Sequence, residues 1–546
     1  MSTRKVGAIP GRRTRPISRQ TILNPAGGLN NNGSPSLIDD KQWSDLLNVQ
    51  FDEGGVVRKR MGFTTFAGSL TQARGIGSLR TSSVNNLVTV DSTAFKYYAG
   101  TSWTSVGTVS FTANKETSFT QARSKVYIWN GTEGGTEWDG VTLARPGTMP
   151  SAKFSVFYNG YHVAAGTGTQ TTRLYFSDVS NASIFTSSGT LSGITWDSTN
   201  VPGATVFNTS GAQFIDFSPG DGEKITGLGI FSDTLVVFKE NSIYQLTLTF
   251  SGTTMTPQVL PITKSTGCVS HRSIVNVEND LYFLSREGVR VLGNQANYFN
   301  SIRTSILSRQ IDPIIQSMKS DSYDKSTAVY FDKEYIINIP DSSGSITVTL
   351  SYHREFQAWS KWSNINADSM IKYIDSNNEE RLIFNTETGT QMYEFTPGIY
   401  SDNGVGISSY VLSKVFDFKN PDITKYFVDL GLIFRTISGE VDLELFTQGN
   451  VLFGGTAAIG GNPVTDGMGM TMLGYTILGE GGGTVSPDTE AFADLVKRVV
   501  IKTKSTNIRF RISNDRNNEN FILLGFIHAF YPYSHYYFDS DSKIYL

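Results

Sequence analysis

The stretch Gly267–Gly293, GCVSHRSIVNVENDLYFLSREGVRVLG, decides the fold. It holds three short apolar runs, Ser273–Val277, Leu281–Leu284 and Val289–Leu292. Between them lie Glu278-Asn279-Asp280 and Ser285-Arg286-Glu287-Gly288. Asn and Asp hydrogen-bond their own backbone and Gly tolerates positive φ, so both connections are turn chemistry. Short runs rich in Val, Ile, Tyr and Phe at this spacing predict a three-stranded antiparallel meander. One meander cannot bury both of its faces, so it needs neighbours of its own kind.

Those neighbours are in the chain. LVTVDSTAFKYY starts at Leu87, LVVFKENSIYQL at Leu235 and LYFLSREGVRVL at Leu281, each with strand residues, a polar turn and more strand residues. Looser copies are VYIWNGTEGGTEW from Val126, YIINIPDSSGSITVTL from Tyr335 and LIFNTETGTQMYEF from Leu382. FYNGYHVAA around Tyr161 adds an Asn-Gly hairpin turn. The anchors 87, 126, 161, 235, 281, 335 and 382 lie 39, 35, 74, 46, 54 and 47 residues apart. A sheet unit of about 40–50 residues repeated six or seven times predicts a β-propeller over residues 76–397, with an array of β-sandwiches as the alternative. The long step from 161 to 235 is expected to hold an insertion, in the Ser/Thr/Gly-rich run SNASIFTSSGTLSGITW.

The flanks read differently. Residues 1–38 form a basic arm with Arg4, Lys5, Arg12, Arg13, Arg15 and Arg19 and no acid. Residues 39–75 are expected to hold a short helix, capped by Asp39 or Asp40 and presenting Trp43, Leu46 and Leu47, and then a strand Val56–Phe63. That strand carries Arg58, Lys59 and Arg60, so at least one base meets the packed side unless the strand is an edge. Two short helices are predicted, one at Ser301–Gln310 and one with Asp312 as N-cap and Pro313 as first position, running through Met318. From 398 to 546 longer strands predict an antiparallel β-sandwich, interrupted at 450–485 by a Gly-rich insertion. The fold class is therefore mainly β, a propeller plus a C-terminal sandwich. In the insertion, Met468, Met470 and Met472 alternate with Gly and Thr, which gives a flexible apolar surface for contact or gating, or an ordinary loop.

Composition narrows the function classes. The chain has 546 residues, 39% hydrophobic and 17% charged, with 53 Gly, 24 Tyr and 34 Phe, as strands joined by tight turns require. No apolar run approaches the roughly 18 residues that cross a bilayer, and no apolar segment follows the basic N-terminus as in a signal peptide. The single Cys268 excludes an intrachain disulfide or a thiolate cluster. The net charge is −3, and because residues 1–38 carry +6 the rest carries −9. A basic arm on an acidic body fits a nucleic-acid contact or a tether to an acidic partner, and equally a solvated tail.

Catalytic and metal-binding patterns are absent from the sequence. His162, His271, His353, His528 and His535 show no HxH or HExxH spacing. Gly-x-Ser-x-Gly, Walker and GxGxxG motifs are missing. Asp216, Asp221, Glu223 and Asp233 are the carboxylates that a propeller glycosidase would need, and equally ordinary loop acids. No catalysis and no cofactor are expected. In FIHAFYPYSHYYF, Phe530, Tyr531, Tyr533, Tyr536 and Tyr537 are candidate interface aromatics.

Three segments carry a resemblance. GGLNNNGSPSLIDDKQWSDLLNVQFDEGGVVRKRMGF, GCVSHRSIVNVENDLYFLSREGVRVLG and KRVVIKTKSTNIRFRISNDRNNENFILLGFIHAFY resemble segments of hub or nozzle proteins from the tails of short-tailed bacteriophages. The likeness runs over roughly residues 20–546. It implies a virion structural protein, a propeller-bearing subunit of a homohexameric ring below the portal and adaptor. Six copies would enclose the channel through which genomic DNA leaves without sequence recognition. Tail fibre or needle proteins, and the host envelope at ejection, are the further partners implied. The family supplies no active site to carry over. A receptor- or glycan-binding propeller of the tail, with depolymerase activity, is the alternative.

Overall fold

The computed structural model describes residues 17–52, 54–185, 207–208, 213–218, 220–251, 254–294, 302–435, 440–448, 450–458 and 494–532. The chain divides into two units. The larger is Leu29–Gly33 with Arg60–Ile407; the smaller is Met1–Gly28, Ser34–Lys59 and Ser408–Leu546.

The larger unit is a β-propeller of seven blades, each built on four antiparallel strands, with one further strand on blade four and two on blade seven. The blades open with the innermost strands Ala73–Arg80, Ser118–Ala122, Phe154–Tyr158, Ile225–Phe231, Val275–Val277, Thr327–Phe331 and Ala367–Ile374. Each innermost strand lies beside that of the next blade, and the seventh returns to the first. Every one of the seven sequence anchors falls in the second strand of a different blade: Asn85–Asp91, Lys125–Trp129, Tyr161–Ala165, Thr234–Lys239, Asp280–Ser285, Glu334–Pro340 and Glu380–Thr386. Gly267–Gly293 holds the first two strands of blade five and nearly all of the third.

Turn chemistry fixes these meanders. In blades two to six, two residues join the first strand to the second, and the leading one has positive φ: Arg123, Asn159, Ser232, Glu278 and Asp332. That backbone matches the right-handed twist of the strands, which sets the register. Blades then pack face to face through separate apolar clusters. Leu79, Val88 and Phe95 meet Val126, Ile128 and Trp138 between blades one and two. Phe63, Phe384 and Phe395 meet Ile336 and Trp362 between blades six and seven.

Two glycines let inner strands approach closely. A Cβ on Gly77 of blade one would sit 2.3 Å from Phe119 Cβ in blade two, and one on Gly227 of blade four 2.4 Å from Ile274 Cδ1. Gly77→Val therefore forces two blades apart and is expected to cost about 2–3 kcal/mol. Thermal unfolding of the whole protein reads this as an earlier propeller transition; an unchanged transition contradicts the packing.

The ring is closed by a strand from far upstream. Phe63–Phe66 is the fourth strand of blade seven, paired with Met392–Phe395. Arg60, fully buried just before it, donates from both Nη atoms to Asp402 at 2.8 and 2.6 Å, and to the Ser363 carbonyl at 2.9 Å. The bases of the Arg58-Lys59-Arg60 run thus part company. Lys59 belongs to the smaller unit, where its buried Nζ donates to Asn514 Oδ1 (2.7 Å) and the Arg516 carbonyl (3.0 Å). Arg58 is half-buried beside Asp52. The strand expected over Val56–Phe63 is two strands, Val57–Lys59 and Phe63–Phe66, one in each unit.

The smaller unit is a two-sheet sandwich built from both ends of the chain. One sheet orders Val49–Phe51, Val57–Lys59, Ile522–Pro532, Lys425–Arg435 and Asp494–Ser505, with Ser18–Leu23 also on Ile522–Pro532. The other orders Trp43–Leu47, Ser409–Ser413, Arg509–Asn514, Glu440–Thr447 and Asn450–Ala458. Trp43, Phe416, Phe510 and Phe526 fill the space between them, with ring centroids 4.9–6.1 Å apart.

Three expectations are corrected. Trp43–Leu47 is a strand, not a helix: Trp43 and Leu46 are buried in the sandwich, and the segment pairs with Ser409–Ser413. Ile302–Ile306 is likewise a strand, because the third strand of blade five needs a partner along its outer edge and alternating Ile302, Thr304 and Ile306 provide one. The start of the 450–485 insertion, Asn450–Ala458, is an outer strand of the sandwich. The helix at Asp312–Gln316 does form, with Asp312 as its first residue rather than its cap.

Candidate functional site

Each inner strand of the propeller is preceded or opened by a charged residue. Arg74, Glu116, Lys153, Lys224, Arg272, Asp324 and Asp368 hold these positions, eight to fourteen residues ahead of the seven anchors. Inner strands converge on the propeller axis, so the meander repeat gathers the charges there.

Arg272 of blade five is the centre of the arrangement. Its Nη2 donates to Glu116 Oε1 of blade two at 2.8 Å and to the Lys325 carbonyl ahead of blade six at 2.9 Å. Its Nη1 donates to the Asp368 carbonyl of blade seven at 2.7 Å and lies 3.6 Å from Asp368 Oδ1. Arg74 of blade one approaches the same oxygen at 3.9 Å. One guanidinium thus ties together blades that are not neighbours, and it bridges the propeller's own axis. The Arg272 side chain is 17% exposed and that of Asp368 4%.

Beside this bridge lies a cavity of about 710 Å³, walled by the residues leading into blades two to six and by the turns between second and third strands. Glu116 faces it with 49% of its side chain accessible, yet desolvation by the surrounding protein raises its carboxyl above the ordinary value. Arg272 opposes that rise, while Asp368 and Asp324 add to it. Lys115 and Lys153 also line the cavity, and neither forms an ion pair among the described residues. Lys224 and Arg286 share Glu240 at 3.2 and 3.4 Å. Such a wall can hold a polar ligand bearing negative charge.

The groups singled out in the sequence take mostly structural positions. Cys268 is fully buried, donates its thiol to the Ser270 carbonyl and is pushed up to about 12 by burial. His271 stacks on Phe154 at 4.5 Å and accepts the Leu228 N–H on Nδ1; burial lowers it to about 4. His162 bonds Ser155 Oγ and the Ala182 carbonyl and is likewise lowered to about 4. His353 stacks on Phe356. Asp216 is held by Arg173 through two 2.7 Å bonds, Asp221 by buried Lys239, and Glu223 by Asn241 and Ser242. Asp216 thus braces a strand pair, and Asp221 and Glu223 tie the loop ahead of blade four to its second strand and the following turn. Among the described residues no three His, Cys, Asp or Glu gather as a metal would need.

In the sandwich, Phe530 is 8% exposed and packs on Phe418 at 4.1 Å, so as an interface aromatic it is corrected to a core residue. Tyr531 is half-buried beside Tyr426. Arg19 is exposed on Ser18–Leu23. Arg4, Lys5, Arg12, Arg13, Arg15, Met468, Met470, Met472, Tyr533, Tyr536, Tyr537 and His535 lie outside the described residues.

No protein-family profile matches the chain. No curated protein matches it either. Among solved structures it is similar to the extracellular domain of the one component system BT4673 from B. thetaiotaomicron, with TM-score 0.40 and 9% identity, over 63% of this chain and 41% of that one. It is also similar to BBS1N in complex with ARL6DN (TM-score 0.36, 10% identity, 62% of this chain, 98% of that one). A third is YCF48 bound to D1 peptide (TM-score 0.35, 9% identity, 61% and 95%). The chain thus spans less than half of the BT4673 domain. Likeness at this level carries no argument about function. Strand order and ring closure establish the chain as a mainly β protein with a seven-bladed propeller and a sandwich.

Proposed function

We propose that the protein is a structural subunit of a bacteriophage tail, a nozzle or hub whose copies form a ring around the exit path of the genome. The observation that carries this reading is the build of the chain: a seven-bladed propeller in the middle of the sequence and a sandwich made from both chain ends. The basic arm, the Gly-rich insertion and the Tyr-rich terminus all continue from strands of that sandwich. With the Arg272 bridge across the propeller axis, the conduit is the lumen between copies, not the propeller itself. A body of −9 per copy repels phosphate, which lets DNA slide. The basic arm reaches an acidic adaptor or the packaged DNA, and the Met-bearing insertion gates retention. Tail fibre or needle proteins, and the host envelope, are further proposed contacts. Neither catalysis nor a cofactor enters this role. No described helix is long and apolar enough to cross a membrane, and the proposed location is the virion.

A gold label on the propeller, imaged on intact particles, tests the proposal. Label around the tail axis below the portal supports it; label at fibre tips, or none, overturns it. The axial cavity with Lys115 and Lys153 favours a second reading, a propeller that binds an acidic glycan. Retention on an immobilised acidic polysaccharide, lost in Lys115→Ala/Lys153→Ala, would support that reading instead.

A further inference from the structure

One face of the six-stranded sheet in the sandwich presents an apolar and basic surface beside an open strand edge. Asp494–Ser505 is the last strand of that sheet and pairs only with Lys425–Arg435 among the described residues. Among the described residues, the Val496–Val500 part has no ladder partner on its other side. Register defines what shares the outer face. Leu23 lies across from Gly525, Gly525 from Ile433, and Ile433 from Val496. Arg19 lies across from Ala529, Ala529 from Asp429, and Asp429 from Val500. Thr21, Ile527, Gly431 and Arg498 form the row between them.

This face is both greasy and cationic. Leu23, Val496 and Val500 are 51%, 39% and 54% exposed, and three large apolar side chains on one small face form more than scattered surface residues. Arg19 and Arg498 stand among them and exposed Lys502 follows in the same strand; Lys497, Arg498 and Lys502 have no ion-pair partner among the described residues. Only Asp429 opposes them in these rows.

We infer that this edge and face dock an extended segment of another protein, added as a further strand, in which apolar and acidic residues take turns at every second position and so share one face. Period-two alternation puts Val496, Arg498 and Val500 on one face, so the added strand meets apolar groups and cations in turn. A second copy of the same edge is disfavoured, because Lys497, Arg498, Lys502 and Lys504 would face their own kind. Nucleic acid would use the cations but gain nothing from exposed Leu23, Val496 and Val500. The bulge at Lys502 (φ 49°) ends the straight run, which confines pairing to the Val496–Val500 part of the strand. The inference holds whether or not copies form a ring.

The test titrates the full-length protein with a Glu/Val peptide of repeating Val-Thr-Glu-Thr, which puts Val and Glu in turn on one face, its Lys/Val counterpart of repeating Val-Thr-Lys-Thr, and an oligodeoxythymidine. Hydrogen exchange along 494–505 is followed in each case. The Glu/Val peptide is expected to bind and protect this strand, with Val500→Asp and Lys502→Glu each weakening binding about tenfold at unchanged unfolding temperature. Both positions are exposed, so the fold tolerates them. Oligonucleotide binding that Lys502→Glu abolishes and Val500→Asp spares overturns the inference in favour of nucleic acid. Equal binding of the Lys/Val peptide, no binding, or strong protection already present in the free protein also overturns it.

Discussion

Replacing Arg272 by alanine lowers the stability of the propeller by about 3–5 kcal/mol, the cost of breaking a buried ion pair from one side. The size follows from what is left behind. Asp368 is 3% exposed, and its Oδ2 already lacks a hydrogen-bond partner among the described residues. Without Arg272, the guanidinium of Arg74 at 3.9 Å is the cation that remains near it. The carbonyls of Asp368 and Lys325 and the carboxylate of Glu116 lose a donor at the same moment. Arg272→Lys rescues little, because one ammonium cannot reach blades two, six and seven together. Adding Asp368→Asn to Arg272→Ala recovers part of the loss, and this non-additivity is the signature of the network. Urea unfolding of the full chain, with the propeller transition followed separately, reads the effect. A loss below about 1 kcal/mol would show that the bridge is an ordinary surface contact.

Lowering the pH from neutral to 4 destabilises both units, and buried histidines are a large part of the cause. His162 and His271 in the propeller are lowered to about 4, and His528 in the sandwich to about 3, all by burial. Each is neutral when folded and takes up a proton when unfolded below its ordinary value near 6.5. The unfolded state therefore binds more protons in this window, and stability falls as pH drops. Each histidine contributes a slope of about 1.4 kcal/mol per pH unit below about pH 5.5. Above the ordinary value the effect vanishes.

His528 separates this cause from general acid unfolding. Neither ring nitrogen has a hydrogen-bond partner among the described residues, and Phe416, Phe418, Phe510 and Phe526 surround the ring. His528→Leu is thus expected to be neutral or stabilising at pH 7. Its advantage over the parent grows by about 1 kcal/mol or more on going from pH 6.5 to pH 5. His162→Leu behaves oppositely at pH 7, since it strands the bonds to Ser155 and Ala182. Parallel acid profiles for the parent and His528→Leu would remove His528 from the account.

Much of the propeller was legible because its signal is repeated. Second strands such as Leu235–Phe238 and Leu281–Leu284 are apolar throughout, being covered by blades on both faces, so they stand out in any register. The first and fourth strands carry weaker patterns. Ile302–Ile306 alternates half-buried with exposed positions and looked helical, since only its pairing with Gly288–Asn294 makes it a strand. Trp43–Leu47 failed for a similar reason: its partner Ser409–Ser413 lies hundreds of residues away, and no local rule sees it. The closing strand Phe63–Phe66 was hidden in a longer run that two units divide between them.

The axial charges were missed because each looked like an ordinary loop residue. Aligning the repeats on their anchors would have exposed them, since a charge precedes all seven. What alignment could not show is that Arg272 alone reaches across the axis. That depends on side-chain length and on where the ring closes. The basic outer face of the sandwich was equally hidden, because Arg19 and Arg498 come to one face only through strand register.

The most direct test of the central proposal is the mass of the purified protein at high concentration, measured together with negative-stain images. The account predicts closed rings of six copies with an open lumen between subunits and a propeller axis closed by the Arg272 bridge. A protein that stays monomeric or trimeric at high concentration, or one whose only central opening runs through the propeller, contradicts it.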